Sequence, residues 1–269
     1  MAENNTIDFA SVLRGRRATY QFLARLFRVE VDQDFLDTLM TMKYPAETGN
    51  KDVDEGYKLI RQYLSRGNES VLQDLAKDYV HAFIGLGNDA YSAAYPYESV
   101  YTSPRRLLMQ DARDEVLVIY RSEGLEKTES WGEGEDHISL ELEYEQIIGE
   151  RALNAYEKGD TETCLSYLMK QRNFLQDHLC SWYPMMADDI KKFALTDFYR
   201  GVGLLTSGFL ENDLEFLNEL LEDNDVDDPS DDARESALED VNANQAPSDE
   251  ETASAKATQT AQEAPAVKG

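Results

Sequence analysis

The amino-acid sequence predicts an all-α protein, a single-domain helical bundle of about eight to ten helices followed by a disordered acidic tail. Apolar residues recur three and four apart along nearly the whole chain, the period of one buried helix face. Period-two alternation is rare: Ile138, Leu140 and Leu142 alternate, but Tyr144, Ile147 and Ile148 restore the helical period. The chain is 269 residues long and 42% hydrophobic, enough to build one large core.

The first stripe is Phe9, Val12, Leu13, Tyr20, Leu23, Leu26 and Phe27, and the second is Phe35, Leu36, Leu39 and Met40. Tyr57, Leu59, Ile60, Tyr63 and Leu64 follow, then Val71, Leu72, Leu75, Tyr79, Val80 and Phe83, with an N-cap candidate in Asn68-Glu-Ser70. Further helices are expected over 107–120, 138–153, 161–179, 184–193 and 197–221. Gly124 and Gly159 supply the left-handed residue that ends the first two of these, and Asp160 can cap the third. Two stretches do not read as plain connectors: 85–103, rich in tyrosine, and Trp131-Gly-Glu-Gly-Glu135. Long aromatic loops forgo burial energy and are more often functional than filler.

Residues 222–269 contain no aromatic residue, three prolines, and 14 acidic against 3 basic residues. Such a segment buries too little apolar surface to offset its ordering entropy. The domain boundary is therefore set at 221, with 1–221 as the folded body. That body is also acidic, with 39 acidic and 23 basic residues. Nucleic acid is not expected as a partner, and a basic peptide is. For the tail, the plainer role is solubility. Cys164 and Cys180 lack metal-ligand spacing; on one helix they would stand roughly 24 Å apart, too far for a disulfide. No run approaches a membrane span, and no signal-peptide core follows Asn4-Asn5-Thr6. Arg16-Arg17 resembles the start of an export signal, but Arg25 and Arg28 put charge where the apolar region should be. A cytoplasmic location is expected.

Chemical motifs are few. Gly85-Leu-Gly87-Asn-Asp-Ala90 matches a relaxed dinucleotide fingerprint, yet the residues before it read as helix and not strand. No phosphate loop or nucleophile elbow occurs, and no cofactor is expected. Asp78 and His81 are three apart, and His137 and Glu141 four apart, spacings that put ligands on one helix face. With only three histidines, the fuller ligand set of a helical di-iron centre is missing. The run EDHISLELEYE, 135–145, reads locally as a helix entrance. Asp136 serves as its N-cap, His137 lies on the apolar side near Leu140, Tyr144 and Ile148, and Glu141 and Glu145 are expected to be helix-surface charges. Glu133 and Glu135, just ahead, could hold a cationic, partly apolar peptide.

Four segments occur in the order and approximate spacing of one known family: Pro96-Tyr-Glu-Ser-Val-Tyr101, Glu133-Gly-Glu-Asp-His137, Phe174-Leu-Gln-Asp-His-Leu-Cys-Ser-Trp-Tyr-Pro184 and Asp197-Phe-Tyr-Arg-Gly-Val-Gly-Leu-Leu205. Over roughly residues 9–220 the chain resembles the TorD/DmsD family of redox-enzyme maturation chaperones. The resemblance implies a TorD-like all-helical, cytoplasmic chaperone, not an enzyme. It would bind the twin-arginine signal peptide of a molybdenum-containing oxidoreductase and delay export until the molybdopterin cofactor is inserted. The family's E-P-x-D-H motif falls on Glu133, Gly134, Glu135, Asp136 and His137, with Gly134 in place of proline, which loosens the loop. Its P-x-x-S-V-aromatic segment falls on Pro96, Tyr97, Glu98, Ser99, Val100 and Tyr101.

The residues themselves fit that expectation. Glu98, Glu133, Glu135 and Asp136 could meet two guanidinium groups, with His137 at the helix entrance, and Tyr97 and Tyr101 could meet the apolar segment that follows. A second reading is a small helical metalloprotein or enzyme using His137, Glu141 and His81. A third is an acidic adaptor whose tail does the binding. The sequence leaves open a monomer or a homodimer formed by domain swapping.

Overall fold

The computed structural model describes residues 8–67, 69–85, 92–224 and 226. The predicted tail therefore lies outside the described residues apart from its first few positions, as does most of the 85–90 fingerprint. The chain separates into a unit over 1–226 and another over 227–269; only the first is described.

Among the described residues there are ten α-helices: α1 Phe9–Arg28, α2 Gln33–Thr41, α3 Lys51–Ser65, α4 Val71–Tyr79, α5 Glu98–Thr102, α6 Asp111–Ser122, α7 Ile138–Glu157, α8 Thr161–Phe174, α9 Cys180–Phe193 and α10 Asp197–Asp223. Two π-helical turns, Val80–Ile84 and Leu175–Leu179, extend α4 and join α8 to α9. The helical turn before Gly85 agrees with the rejection of a strand-based dinucleotide loop.

Local signals act as expected at several ends. Asp160 accepts from Thr163 N at 3.1 Å, and Gly124 and Gly159 take positive φ behind α6 and α7. Other boundaries moved. The helix expected from 107 begins at Asp111, because 103–110 forms an irregular segment in which Arg106 and Met109 have positive φ. The helix expected from Pro184 runs on from α8 through the π turn, with Pro184 inside it and Trp182, Tyr183 and Met186 buried. Apolar burial around the proline outweighs its breaking tendency. α10 continues to Asp223, beyond the boundary expected at 221.

One group of packed helices is α1, α7 and α8; a second is α3, α9 and α10, and α10 joins them through α8 and α1. The core holds Tyr20, Phe27, Trp182, Tyr183, Phe198 and Tyr199. α3 and α10 touch backbone to backbone. A Cβ on Gly56 would stand 2.6 Å from Leu205 N, and one on Gly201 would stand 2.7 Å from Gly56 O. Only glycine permits that approach.

Asp78 and His81 are structural. The Asp78 carboxylate accepts the amides of Leu195 and Thr196 at 2.7 and 2.8 Å, tying α4 to the start of α10. His81 Nδ1 bonds Phe193 O at 2.9 Å. Cys164 and Cys180 are free thiols, and burial pushes Cys180 up to about 12. No helix among the described residues is long and apolar enough to cross a membrane.

Candidate functional site

The two family segments meet. Tyr97 and His137 form an antiparallel bridge, through Glu98 N to Asp136 O at 3.0 Å and Ile138 N to Pro96 O at 2.9 Å. This pairing joins the start of α5 to the start of α7 and brings all ten predicted site residues into one region.

Asp136 caps a helix, but not the one expected. Its carboxylate accepts Ser99 N at 3.0 Å, in the first turn of α5. The N-cap of α7 is His137, whose Nδ1 accepts Ser139 N at 3.1 Å. With Nδ1 accepting, the neutral ring carries its proton on Nε2. Burial, helped by the positive charge of Arg28, pulls His137 down to about 3. Ser99 Oγ in turn accepts Gln110 N at 3.1 Å, fastening the irregular 103–110 segment.

Most of the predicted contact residues face inward. Pro96, Glu98, Ser99, Val100 and Tyr101 are buried. Glu98 is not available to a guest arginine: its carboxylate lies 3.0 Å from His178 Nδ1. Tyr101 stacks on Trp182 at 5.5 Å and donates to Asp189 at 3.2 Å. Glu135 is occupied as well, by Arg113 Nε at 2.6 Å and Lys127 Nζ at 3.1 Å. Burial raises its pKa, but these two cations outweigh burial and hold the carboxyl below the ordinary range. Two of the ten remain toward solvent, Glu133 exposed and Tyr97 half-buried. The Tyr97 hydroxyl donates to the Glu133 carboxylate, and its ring meets the His137 ring edge to face at 5.1 Å.

Glu141 and Glu145, expected on the surface, are fully buried. The helical-wheel argument assumes one covered face, whereas α7 packs against both α1 and α8. Glu145 Oε2 accepts Gln171 Nε2 at 2.9 Å. Glu141 Oε2 accepts Trp182 Nε1 at 3.0 Å, and the Glu98 carboxylate lies near it. Burial first, then the charges of Glu98 and Asp136, raise the Glu141 pKa well above the ordinary 4.5, which favours the protonated carboxyl.

The folded protein thus retains a proton that the unfolded chain loses above 4.5, and stability falls as pH rises through that window. Glu141→Gln keeps the shape and replaces the O–H donor with N–H. It is expected to melt no lower than the parent at about pH 8 and to decline less steeply from about pH 5 upward. Glu141→Ala, which orphans the Trp182 indole N–H, should cost about 1–3 kcal/mol. Thermal melts across that range decide the matter: equal losses in the two variants would refute the protonated carboxyl.

Beside the paired segments lies a cleft of about 110 Å³. Leu125, Leu140, Tyr144 and Ile147 form its apolar floor, Trp131 is one wall, and Glu126, Lys127 and Glu143 stand at the rim. Trp131 meets His137 edge to face at 5.3 Å, so the aromatic row Trp131, His137, Tyr97 leads from the cleft to Glu133. Trp131 stood out in the sequence as part of the loop. Glu143, Leu140 and Ile147 did not, since nothing local separates them from other residues of an amphipathic helix.

As ligands for a metal, His137 and Glu141 do not converge. His137 Nδ1 is bonded within its own turn, and Glu141 faces Trp182 and Glu98. Among the described residues, no cluster of three or more potential ligands occurs.

Fold and site together define an all-α protein whose buried ionisable groups serve its architecture and which turns a small acidic and aromatic region toward solvent. The profile of the nitrate reductase delta subunit family matches residues 48–188, more than half of the chain; the chain belongs to this family, that of the TorD/DmsD redox-enzyme maturation chaperones. Chaperone protein TorD of Vibrio parahaemolyticus is 26% identical over 210 residues, covering 75% of this chain and 94% of the relative. The proteins of the same name from Vibrio cholerae and Shewanella piezotolerans are each 24% identical, over 221 and 219 residues, covering 79% and 77% of this chain and 96% and 94% of those relatives.

Proposed function

We propose that this protein is a cytoplasmic chaperone, not an enzyme, that binds the twin-arginine signal peptide of a molybdopterin-containing oxidoreductase and assists maturation of that enzyme before export. Membership of a chaperone family supports the class. The observation that carries the peptide reading is Glu133: an exposed carboxylate held in place by the Tyr97 hydroxyl, at the end of an aromatic row that leads to an apolar cleft. A peptide with two guanidinium groups followed by apolar side chains matches that order of chemistry. The acidic body adds attraction for a basic segment, which salt would weaken.

In this reading Pro96, Glu98, Ser99, Val100, Glu135, Asp136 and His137 do not touch the peptide. They hold the α5 and α7 entrances together so that Tyr97 and Glu133 stand in a fixed arrangement. Titration of the protein with a synthetic peptide bearing two adjacent arginines and an apolar run tests it. The arginine peptide should bind about tenfold or more tightly than its twin-lysine counterpart, because only guanidinium both stacks and forks hydrogen bonds. Equal affinity for the two peptides, or none for either, would overturn the proposal.

A further inference from the structure

Arg28 is the last residue of α1, and its guanidinium lies over the Trp131 indole at 5.1 Å and 3.2 Å from the Glu143 carboxylate. An aromatic face with a carboxylate at its edge is the arrangement that recognises arginine. Here the chain's own arginine fills it. We infer that Arg28 is an internal occupant of a guanidinium subsite formed by Trp131 and Glu143, and that an arginine of a guest peptide displaces it. This deepens the signal-peptide reading and rests on it for the identity of the guest.

Three further observations support displacement. Arg28 and Glu143 line both the cleft described above and a second one, floored by Phe22 and Phe35, so the Arg28 to Glu143 pair is the partition between two grooves. Withdrawing the Arg28 side chain would join them into one channel on the α1 and α7 surface. The pair is also weakly held: the two side chains are 40% and 35% exposed, and a partly solvated ion pair gains little from its Coulomb attraction. Arg16, on the same helix, is the contrast: it is buried and paired with Asp213 at 2.5 Å. Arginine is therefore used on α1 both as a locked core residue and as a loosely held surface one.

The subsite also supplies a second acceptor for a two-arginine peptide. Glu133 stands at one end of the row Tyr97, His137, Trp131, and Glu143 at the other. Adjacent arginines diverging from one backbone can address both ends. The apolar residues after them would then enter the floor of Leu125, Leu140 and Ile147.

The test uses the full chain and two probes, N-acetyl-arginine amide and the twin-arginine peptide, read through Trp131 fluorescence; Trp182, the other tryptophan, is fully buried. Arg28→Ala vacates the subsite and should bind the arginine amide about five- to tenfold more tightly than the parent, with a smaller gain for the lysine amide. Adding Glu143→Gln to Arg28→Ala should remove the gain. If Arg28→Ala leaves arginine-amide affinity unchanged or lowers it, or if lysine gains equally, the inference fails. The amide result separates the two ideas. A gain with the amide, but no binding of the twin-arginine peptide, would sink the signal-peptide reading and leave the subsite standing. Arginine-selective peptide binding by the parent, with no amide gain in Arg28→Ala, would do the reverse.

Discussion

Asp213→Ala will destabilise the folded body by about 3–5 kcal/mol, the largest single loss expected in the molecule. Asp213 is buried and accepts from Arg16 Nε at 2.5 Å, from Arg16 Nη2 at 2.8 Å and from the Tyr20 hydroxyl at 2.6 Å. Arg16 Nη1 donates to Gln171 at 3.1 Å, and Gln171 donates on to Glu145. Burial lowers the Arg16 pKa, but Asp213 more than compensates and holds the guanidinium above its ordinary range. Removing Asp213 leaves a charged guanidinium and a phenol without their common acceptor. Urea denaturation measures the loss. A paired replacement, Arg16→Met with Asp213→Leu, should recover much of it, since neither charge then remains to be desolvated. A loss under about 1 kcal/mol for Asp213→Ala would show that water reaches the pair.

Glu133→Arg will weaken binding of a twin-arginine peptide by about tenfold to a hundredfold while changing stability by less than about 0.5 kcal/mol. The side chain is exposed and its carboxylate accepts from the Tyr97 hydroxyl. The reversal replaces attraction for a guanidinium with repulsion. Glu219→Arg, an exposed reversal on α10, makes the same change in net charge and should leave binding nearly intact. Isothermal titration of both variants distinguishes local recognition from a general field effect, and equal losses would assign binding to net charge alone. Glu135 and Glu145 would make poor comparisons. Reversing Glu135 breaks its pairing with Arg113 and Lys127, and reversing Glu145 puts a cation into the core.

The carboxylates show where reading from sequence succeeds and fails. That Glu133, Glu135, Asp136 and His137 belong with the 96–101 segment was legible through the family pattern, and the Tyr97 to His137 bridge joins the two. Which of them faces solvent was not legible. Glu135 looks as available as Glu133 until Arg113, 22 residues away, is seen at 2.6 Å. Asp136 has the right residue type to cap the helix that follows it, yet its carboxylate caps α5, 37 residues back. Nothing within a turn of either residue encodes those partners. Arg28, Trp131 and Glu143 likewise lie on separate parts of the chain and meet only in the folded state.

The sequence by itself determined that the body is all-α, where most helices run, how α6, α7 and α8 are punctuated, and to which family the chain belongs. Each depends on short-range physics or on ordered motifs: 3.6-residue periodicity, capping side chains and left-handed glycines act within one or two turns. Tertiary structure alone decided that Glu141 and Glu145 are interior, that Asp78 and Asp136 serve helices other than their own, and that Arg16 is a core cation. Burial and ion pairing depend on which helices pack together, and α7 lies between α1 and α8. A residue on the flank of one apolar face is then covered by the second neighbour, and its charge must be paired or neutralised.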